Sequence, residues 1–337
     1  MKIISEAPCR VDLAGATLDI WPLYLYHPGA VTLNFAIDRW TRCVIEPHSS
    51  PAIRLRSRDL DAEERFASLE RLLESRQPRL PLVTYLLRFF QPATGLRLHT
   101  HSEAPAGAGI AGSSALMIAV ASALNRLTGA GHSVEKIREI AQNVEAQIIR
   151  VPTGVQDYYP ALYGGVNAVE MGPAGIRCTK IPINVDDFNR HIVLAYTGTP
   201  RNSGINNWEV TKAYIDGNGR VQGNFEQIAA IASTMRPALE KSDWTEIGRL
   251  IREDWSHRRR NAPGISTPLI DHLIKVTRRK GAVAAKVCGA GGGGCVFFLV
   301  DPDAKQRVSQ TIEEAGAEVL PVQVATRGIT IRKERMN

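Results

Sequence analysis

Residues 103–116, EAPAGAGIAGSSAL, decide how the rest of the chain is read. Gly107, Gly109 and Gly112 stand in the G-x-G-x-x-G spacing of a dinucleotide-binding turn, and residues 107–112 also give the G-x-x-x-x-G frame of a phosphate loop. The dinucleotide reading needs a strand running straight into the first glycine and an acidic residue about 20 positions on to hold a ribose. Pro105 interrupts that approach, and no Asp or Glu occurs between Glu103 and Glu135. The lysine-type phosphate loop fails more simply, because Ser113 occupies the lysine position. What remains is a glycine-rich turn running into a helix at Ser113 and Ser114. Such a turn offers backbone N–H groups and the positive end of a helix dipole to an anion, and a serine hydroxyl can ligate Mg2+. A tight turn with a serine cap on a buried helix would explain the stretch equally well by itself.

The surroundings fit an ordinary globular chain. Its 337 residues are 44% hydrophobic and 22% charged, enough to bury a large core. The formal charge of +7 suits anionic small substrates. Nucleic acid is not expected, because the basic run His257-Arg258-Arg259-Arg260 is short and has only Trp255 as an aromatic neighbour. Five scattered cysteines without a C-x-x-C pair point to reduced thiols in a cytoplasmic protein. No window approaches the ~18 apolar residues of a membrane span, and charge enters at Glu6 and Arg10 before a signal-type core develops.

Strand-like runs occupy 2–5, 30–33, 42–46 and 95–101, the last leading into the glycine turn. Residues 113–127 are apolar nearly all round and predict a buried helix that Gly129 stops. Ser133 can cap a second helix running to about Arg150, which Pro152-Thr153-Gly154 breaks. Beyond about residue 190, strands are expected at 191–196, 283–287, 295–300 and 319–324, with helices at 224–239, 244–255, 268–280 and 311–315. The pattern is α+β in two halves. Gly172, Pro173, Gly175 and Pro182 cluster at the expected seam.

Three further clusters carry candidate chemistry. Residues 289–294 hold five glycines in six positions between two strands, an entropically costly loop that suits close backbone approach. Glu145, near a helix end, and Asp157, past the Pro152 break, can both reach the glycine turn; one carboxylate could hold Mg2+ and the other act as base. Each is also the type of residue found as a solvated cap. Arg10 and Asp19 sit in an apolar, glycine-bearing stretch and read either as a surface ion pair or as a charge stabiliser and a hydroxyl clamp.

In this order the pieces resemble the GHMP kinases, the superfamily of galactokinase, homoserine kinase, mevalonate kinase and phosphomevalonate kinase. Residues 7–15 (APCRVDLAG) with Asp19 resemble its first motif, 105–115 (PAGAGIAGSSA) its phosphate loop, and 286–294 (KVCGAGGGG) its third motif. Residues 153–157 (TGVQD) are similar to its segment with the catalytic aspartate. Departures exist: Ala16-Thr17-Leu18-Asp19 replaces the Glu-His-Thr-Asp run of galactokinases, Cys9 replaces a common glycine, and Ala111-Gly112 stands where Gly-Ser or Ser-Ser is usual.

The resemblance implies a two-domain α+β fold. Residues 1–180 would form an N-terminal domain like domain 2 of ribosomal protein S5, and 181–337 a ferredoxin-like C-terminal domain. It implies ATP held by Pro105, Gly107, Ala108, Gly109, Ile110, Ala111, Gly112, Ser113, Ser114, Gly291 and Gly292. Mg2+ would lie on Glu145 with Ser113 or Ser114, Asp157 would serve as base, and Arg10 would steady the transferred phosphoryl group. Asp19, Gly154, Gln156, Arg201 and Gly289 would contact a sugar or sugar phosphate. Residues Gln156-Asp157, 196–198 and 265–268 look most like the heptose 7-phosphate kinase branch, with Arg201 and Arg258–Arg260 as phosphate ligands. Another sugar, a mevalonate-type alcohol, or a non-catalytic sensor on the same scaffold are the alternatives. A monomer or homodimer is expected.

Overall fold

The computed structural model describes residues 1–200 and 203–335. The first half runs β1 (Lys2–Ala14), β2 (Val31–His48), β3 (Ile53–Ser57), β4 (Ala62–Phe66), α1 (Leu69–Glu74), α2 (Pro81–Phe90), β5 (Gly95–Ser102), α3 (Gly112–Thr128), α4 (Val134–Ile149), α5 (Tyr159–Tyr163), β6 (Val166–Gly172) and β7 (Gly175–Ile181). The second runs α6 (Val185–Arg190), β8 (Ile192–Tyr196), α7 (Ser203–Ile215), α8 (Gly219–Glu240), α9 (Trp244–Arg258), α10 (Pro268–Arg278), β9 (Ala282–Val287), β10 (Cys295–Val300), α11 (Lys305–Glu314), β11 (Glu318–Leu320) and β12 (Thr330–Glu334).

Among the described residues, the first sheet follows the order β12-β1-β2-β5-β3-β4, with β6 on β2 and β7 on β6. β2 is long enough to serve two partners: its first part pairs with β6 and its second with β5. The glycine and proline cluster at 172–175 is the turn of the β6–β7 hairpin, where Gly172 faces Gly175. A turn and a domain linker use the same residues, and here the turn claims them. β12 returns from the C-terminus to pair with β1, a long-range contact that no local pattern announces.

α3 lies against the first sheet. Met117, Ile118, Val120 and Leu124 are fully buried, and each such side chain contributes roughly 1.5–3 kcal/mol. Gly129 (φ 67°) ends α3 in the left-handed conformation, and Ser133 Oγ caps α4 by accepting from Lys136 N. The second sheet has the order β11-β8-β10-β9, all antiparallel. Every residue of β10 is buried, as expected for a strand covered on both faces. Phe297 of β10 and Phe188 of α6 both pack edge-on against Phe35 of β2, joining the two sheets through one aromatic cluster. The expected strand at 319–324 is shorter, ending at Leu320; Val324 instead makes a single bridge to Ile37.

Candidate active site

The glycine turn leaves β5 at Ser102 and enters α3 at Gly112. Gly107 (φ 68°) and Gly109 (φ 80°) take left-handed backbone, and a Cβ on Gly112 would lie 2.8 Å from the Cβ of Ala104. Ala111 is the N-cap of α3 at φ 58°, a costly conformation for a residue with a Cβ, and no side chain caps the helix. The first-turn N–H groups at Gly112, Ser113 and Ser114 therefore have no acceptor within α3. They border a cavity of about 380 Å3 that is also lined by Arg10, Asp19, Glu145, Gln156 and Asp157. An uncapped helix start facing a cavity fits the phosphates of a nucleotide.

Glu145, on α4, is 7% exposed and accepts from Ser114 Oγ at 2.9 Å and from Tyr158 Oη at 2.5 Å. Burial raises its pKa, while hydrogen bonds from Tyr158, Ser113 and Ser114 oppose the shift. Ser114 is buried on this carboxylate; Ser113 is exposed. Among the described residues no group of three His, Cys, Asp or Glu side chains could hold a metal. One carboxylate and a hydroxyl fit Mg2+, which keeps waters and takes phosphate oxygens as further ligands.

Arg10 and Asp157 meet across the cavity floor. Arg10 donates through Nε (2.9 Å) and Nη2 (2.5 Å) to Asp157 Oδ1, and through Nη1 to Gly109 O at 2.8 Å. Arg10 thus joins β1, the glycine turn and Asp157, although sequence reading set it beside Asp19. Burial opposes its charge, yet Asp157 and Asp12 hold its pKa above the ordinary guanidinium value. Asp157 Oδ2 carries no hydrogen bond from the described residues and is the oxygen available to a ligand.

Asp19 is 2% exposed and is held by backbone and amide donors that leave it room for one more. Oδ2 accepts from Gln156 N (3.0 Å), and Oδ1 accepts from Gln156 Nε2 (3.2 Å) and Thr17 N (3.1 Å). Burial, with the charge of Asp157 behind it, pushes its pKa up to about 6. Thr17 sits at φ 76°, a rare conformation for a β-branched residue and one that gathers at functional sites. Gln156 Oε1 is buried without a partner among the described residues, so the cavity holds an unsatisfied acceptor beside Asp19.

The glycine-rich loop splits its duties. Gly289 and Ala290 line the cavity, and Gly289 N donates to Asp12 Oδ1 at 3.0 Å. Gly291 and Gly292 pack away from it: a Cβ on Gly291 would lie 2.6 Å from Ile265 O, and Gly292 N donates to that oxygen. Gly294 closes on the first loop, where a Cβ would lie 2.6 Å from Ala108 O. Arg201 lies outside the described residues. Arg258 is 2% exposed and donates to Asp12 Oδ2 at 3.1 Å, Arg259 pairs with Asp271 at 3.0 Å, and Arg260 is exposed.

Sequence reading gave no role to a second buried ionic group behind the cavity. Lys286 Nζ contacts Asp12 Oδ2 (3.0 Å), Asp254 Oδ2 (2.7 Å) and Leu13 O (3.1 Å), and all three charged side chains are 0% exposed. Burial would raise the pKa of Asp12, but Lys286, Arg258 and Arg10 outweigh it and hold this carboxyl well below the usual range. The signal was available: Asp12 in VDLA and Lys286 in VAAKVC are charges set among apolar strand residues, which persist only when paired.

Comparison with known proteins follows the same layout. Residues 80–165 match the GHMP kinases N terminal domain and 235–318 the GHMP kinases C terminal domain. A D-glycero-alpha-D-manno-heptose 7-phosphate kinase of Campylobacter jejuni is 24% identical over 98% of both chains. A mevalonate kinase of Thermococcus onnurineus is 24% identical over 99% of both. The crystal structure of a D-glycero-D-manno-heptose 1-phosphate kinase from Bacteriodes thetaiotaomicron superposes with a TM-score of 0.80 at 22% identity, covering 99% of this chain and 100% of that one. With both domain matches in order and an uncapped helix start, Arg10 and Asp157 gathered on one cavity, the chain belongs to the GHMP kinases.

Proposed function

We propose that the chain is an ATP- and Mg2+-dependent kinase that phosphorylates a hydroxyl of a sugar phosphate, with a heptose 7-phosphate as its leading substrate. The observation that carries this reading is the Arg10–Asp157 pair beside the glycine turn, where Asp157 lines the cavity and its Oδ2 takes no hydrogen bond from the described residues. Phosphoryl transfer needs mainly positioning and charge stabilisation, and these groups supply both. The α3 N–H groups would cradle the nucleotide phosphates. Glu145 and Ser114 would hold Mg2+, a choice between the two serines favoured by the 2.9 Å contact. The metal would supply positive charge against the phosphates during transfer. Asp157 Oδ2 accepts the proton of the substrate hydroxyl, and Arg10, anchored on Oδ1, presents its charge to the transferred group. Asp19 and Gln156 orient the sugar, the orphaned Gln156 Oε1 accepting one of its hydroxyls.

The similar Campylobacter jejuni heptose 7-phosphate kinase supports the substrate class. The same reading divides the chain at 1–180, with the ATP loop, and 181–337, with the glycine-rich loop, β12 returning to the first sheet. ADP release with Mg-ATP over heptoses, hexoses, pentoses and their phosphates tests the proposal. Turnover is expected with a sugar phosphate. Nucleotide binding with no ADP release on any acceptor would replace the kinase by a sensor.

A further inference from the structure

A second cavity lies on the solvent face of the first sheet. β2, β3 and β5 turn Cys43, Leu55 and Leu98 inward, which leaves Arg42, Arg56 and His99 exposed on the other side. In register, Arg42 faces His101 and Arg56 faces His99. Arg58, just beyond β3, is tied in by its N–H to Thr100 O at 2.9 Å. The cavity these five side chains line measures about 290 Å3, and no carboxylate is in its wall.

Of the two acids nearby, one touches a cavity side chain and shares itself with another arginine. Glu63 faces Arg56 in the register but pairs with Arg65 at 2.7 Å. Glu6 lies 3.6 Å from Arg42 Nε and is shared with Arg332 at 2.7 Å. Arg56 and Arg58 have no ion pair among the described residues, and His101 Nδ1 is buried without a hydrogen-bond partner there. Three guanidinium groups around one hollow give it a positive potential that favours an anion, and arginine forks match phosphate oxygens two at a time.

We propose that Arg42, Arg56, Arg58, His99 and His101 form a binding site for the diphosphate group of a small molecule, separate from the kinase cavity. The two cavities share no lining residue. They are adjacent along the chain, because Asp59 follows Arg58, lines the kinase cavity and accepts from Ser102 N at 3.1 Å. An occupant here would therefore sit one residue from the ATP loop's entry.

Calorimetric titration of the full chain with inorganic pyrophosphate tests the site, with the kinase cavity filled by a non-hydrolysable ATP analogue and no metal added. One binding event per chain is expected. Its Kd should rise at least tenfold in Arg56→Gln/His99→Asn and less than twofold in Arg54→Gln/Arg97→Gln, which alters the same face outside the cavity. Arg42→Gln probes the cavity independently from β2, and should also weaken binding. Absence of binding, indifference to the cavity variants, or equal losses in both double variants would overturn the proposal. The last result would mean a diffuse field suited to an extended polyanion such as nucleic acid.

Discussion

Gly154 and Asp19 touch so closely that a Cβ at position 154 would lie 2.1 Å from Asp19 Oδ2. The glycine break after α4 thus makes room for a buried carboxylate and does more than end a helix. Gly154→Ala must displace Asp19 or the loop that carries Gln156 and Asp157. Misplacement on the order of 1 Å can cost about 100-fold in rate. Steady-state kinetics should show kcat/KM for the sugar substrate falling at least tenfold while nucleotide affinity stays within twofold. Unchanged sugar kinetics would show that this contact does not order the acceptor site.

Asp19 should give the reaction an acidic limb. Its pKa, about 6, lies above the ordinary carboxyl value because of burial and the nearby Asp157 charge. Below that pH it takes up a proton and loses acceptor capacity. Above it, the ionised form holds Gln156 and can bind a hydroxyl. kcat/KM for the sugar is therefore expected to rise with pH through about 6, and Asp19→Asn should abolish that limb and raise KM for the sugar more than for ATP. A limb that persists in Asp19→Asn belongs to another group. The same raised pKa makes Asp19 favour folding less as pH rises from about 4 through 6, so Asp19→Asn should stabilise the chain more at pH 7 than at pH 4.

Lys286 bridges Asp12 and Asp254 with every partner buried. Removing one member of a buried ion pair leaves an uncompensated charge and typically costs about 3–5 kcal/mol. Chemical denaturation of Lys286→Met should show a loss of that order. Asp254→Asn added to Lys286→Met should recover part of it, because Lys286 is the one ion-pair partner of Asp254 among the described residues, whereas Asp12 keeps Arg258 and Arg10. Equal stability of Lys286→Met and wild type would mean that water reaches the cluster.

Much of the site was legible in the sequence because its signals are local. The α3 helix, the glycine turn and the cap at Ser133 follow from composition and spacing over a few residues. Glu145 and Asp157 were placed near the turn by a helix end and a proline break, and the structure brings Glu145 to Ser114 and Asp157 to Arg10. Longer-range relations were not legible. On sequence grounds Arg10 reads as an ion-pair partner of Asp19 or as a charge stabiliser, and only the fold brings it to Asp157. Arg258 reads as a phosphate ligand in a short basic run; it does line the cavity, but that the last turn of α9 also sets it on Asp12 is not legible locally. Gly291 and Gly292 looked like ligand contacts, but glycines also permit protein segments to approach, and here Ile265 takes that space. β12 carries exposed charges and one apolar residue, the exposed Ile331, so its place beside β1 is set by the partner strand.

The most direct test is a paired measurement on Asp157→Asn: ADP release with Mg-ATP and the best sugar phosphate, beside nucleotide affinity by calorimetry. Asparagine keeps the shape of the side chain but cannot take the hydroxyl proton, so turnover should fall at least about 100-fold with nucleotide affinity nearly unchanged. Turnover like that of the wild type in Asp157→Asn would contradict the assignment of Asp157 as the base.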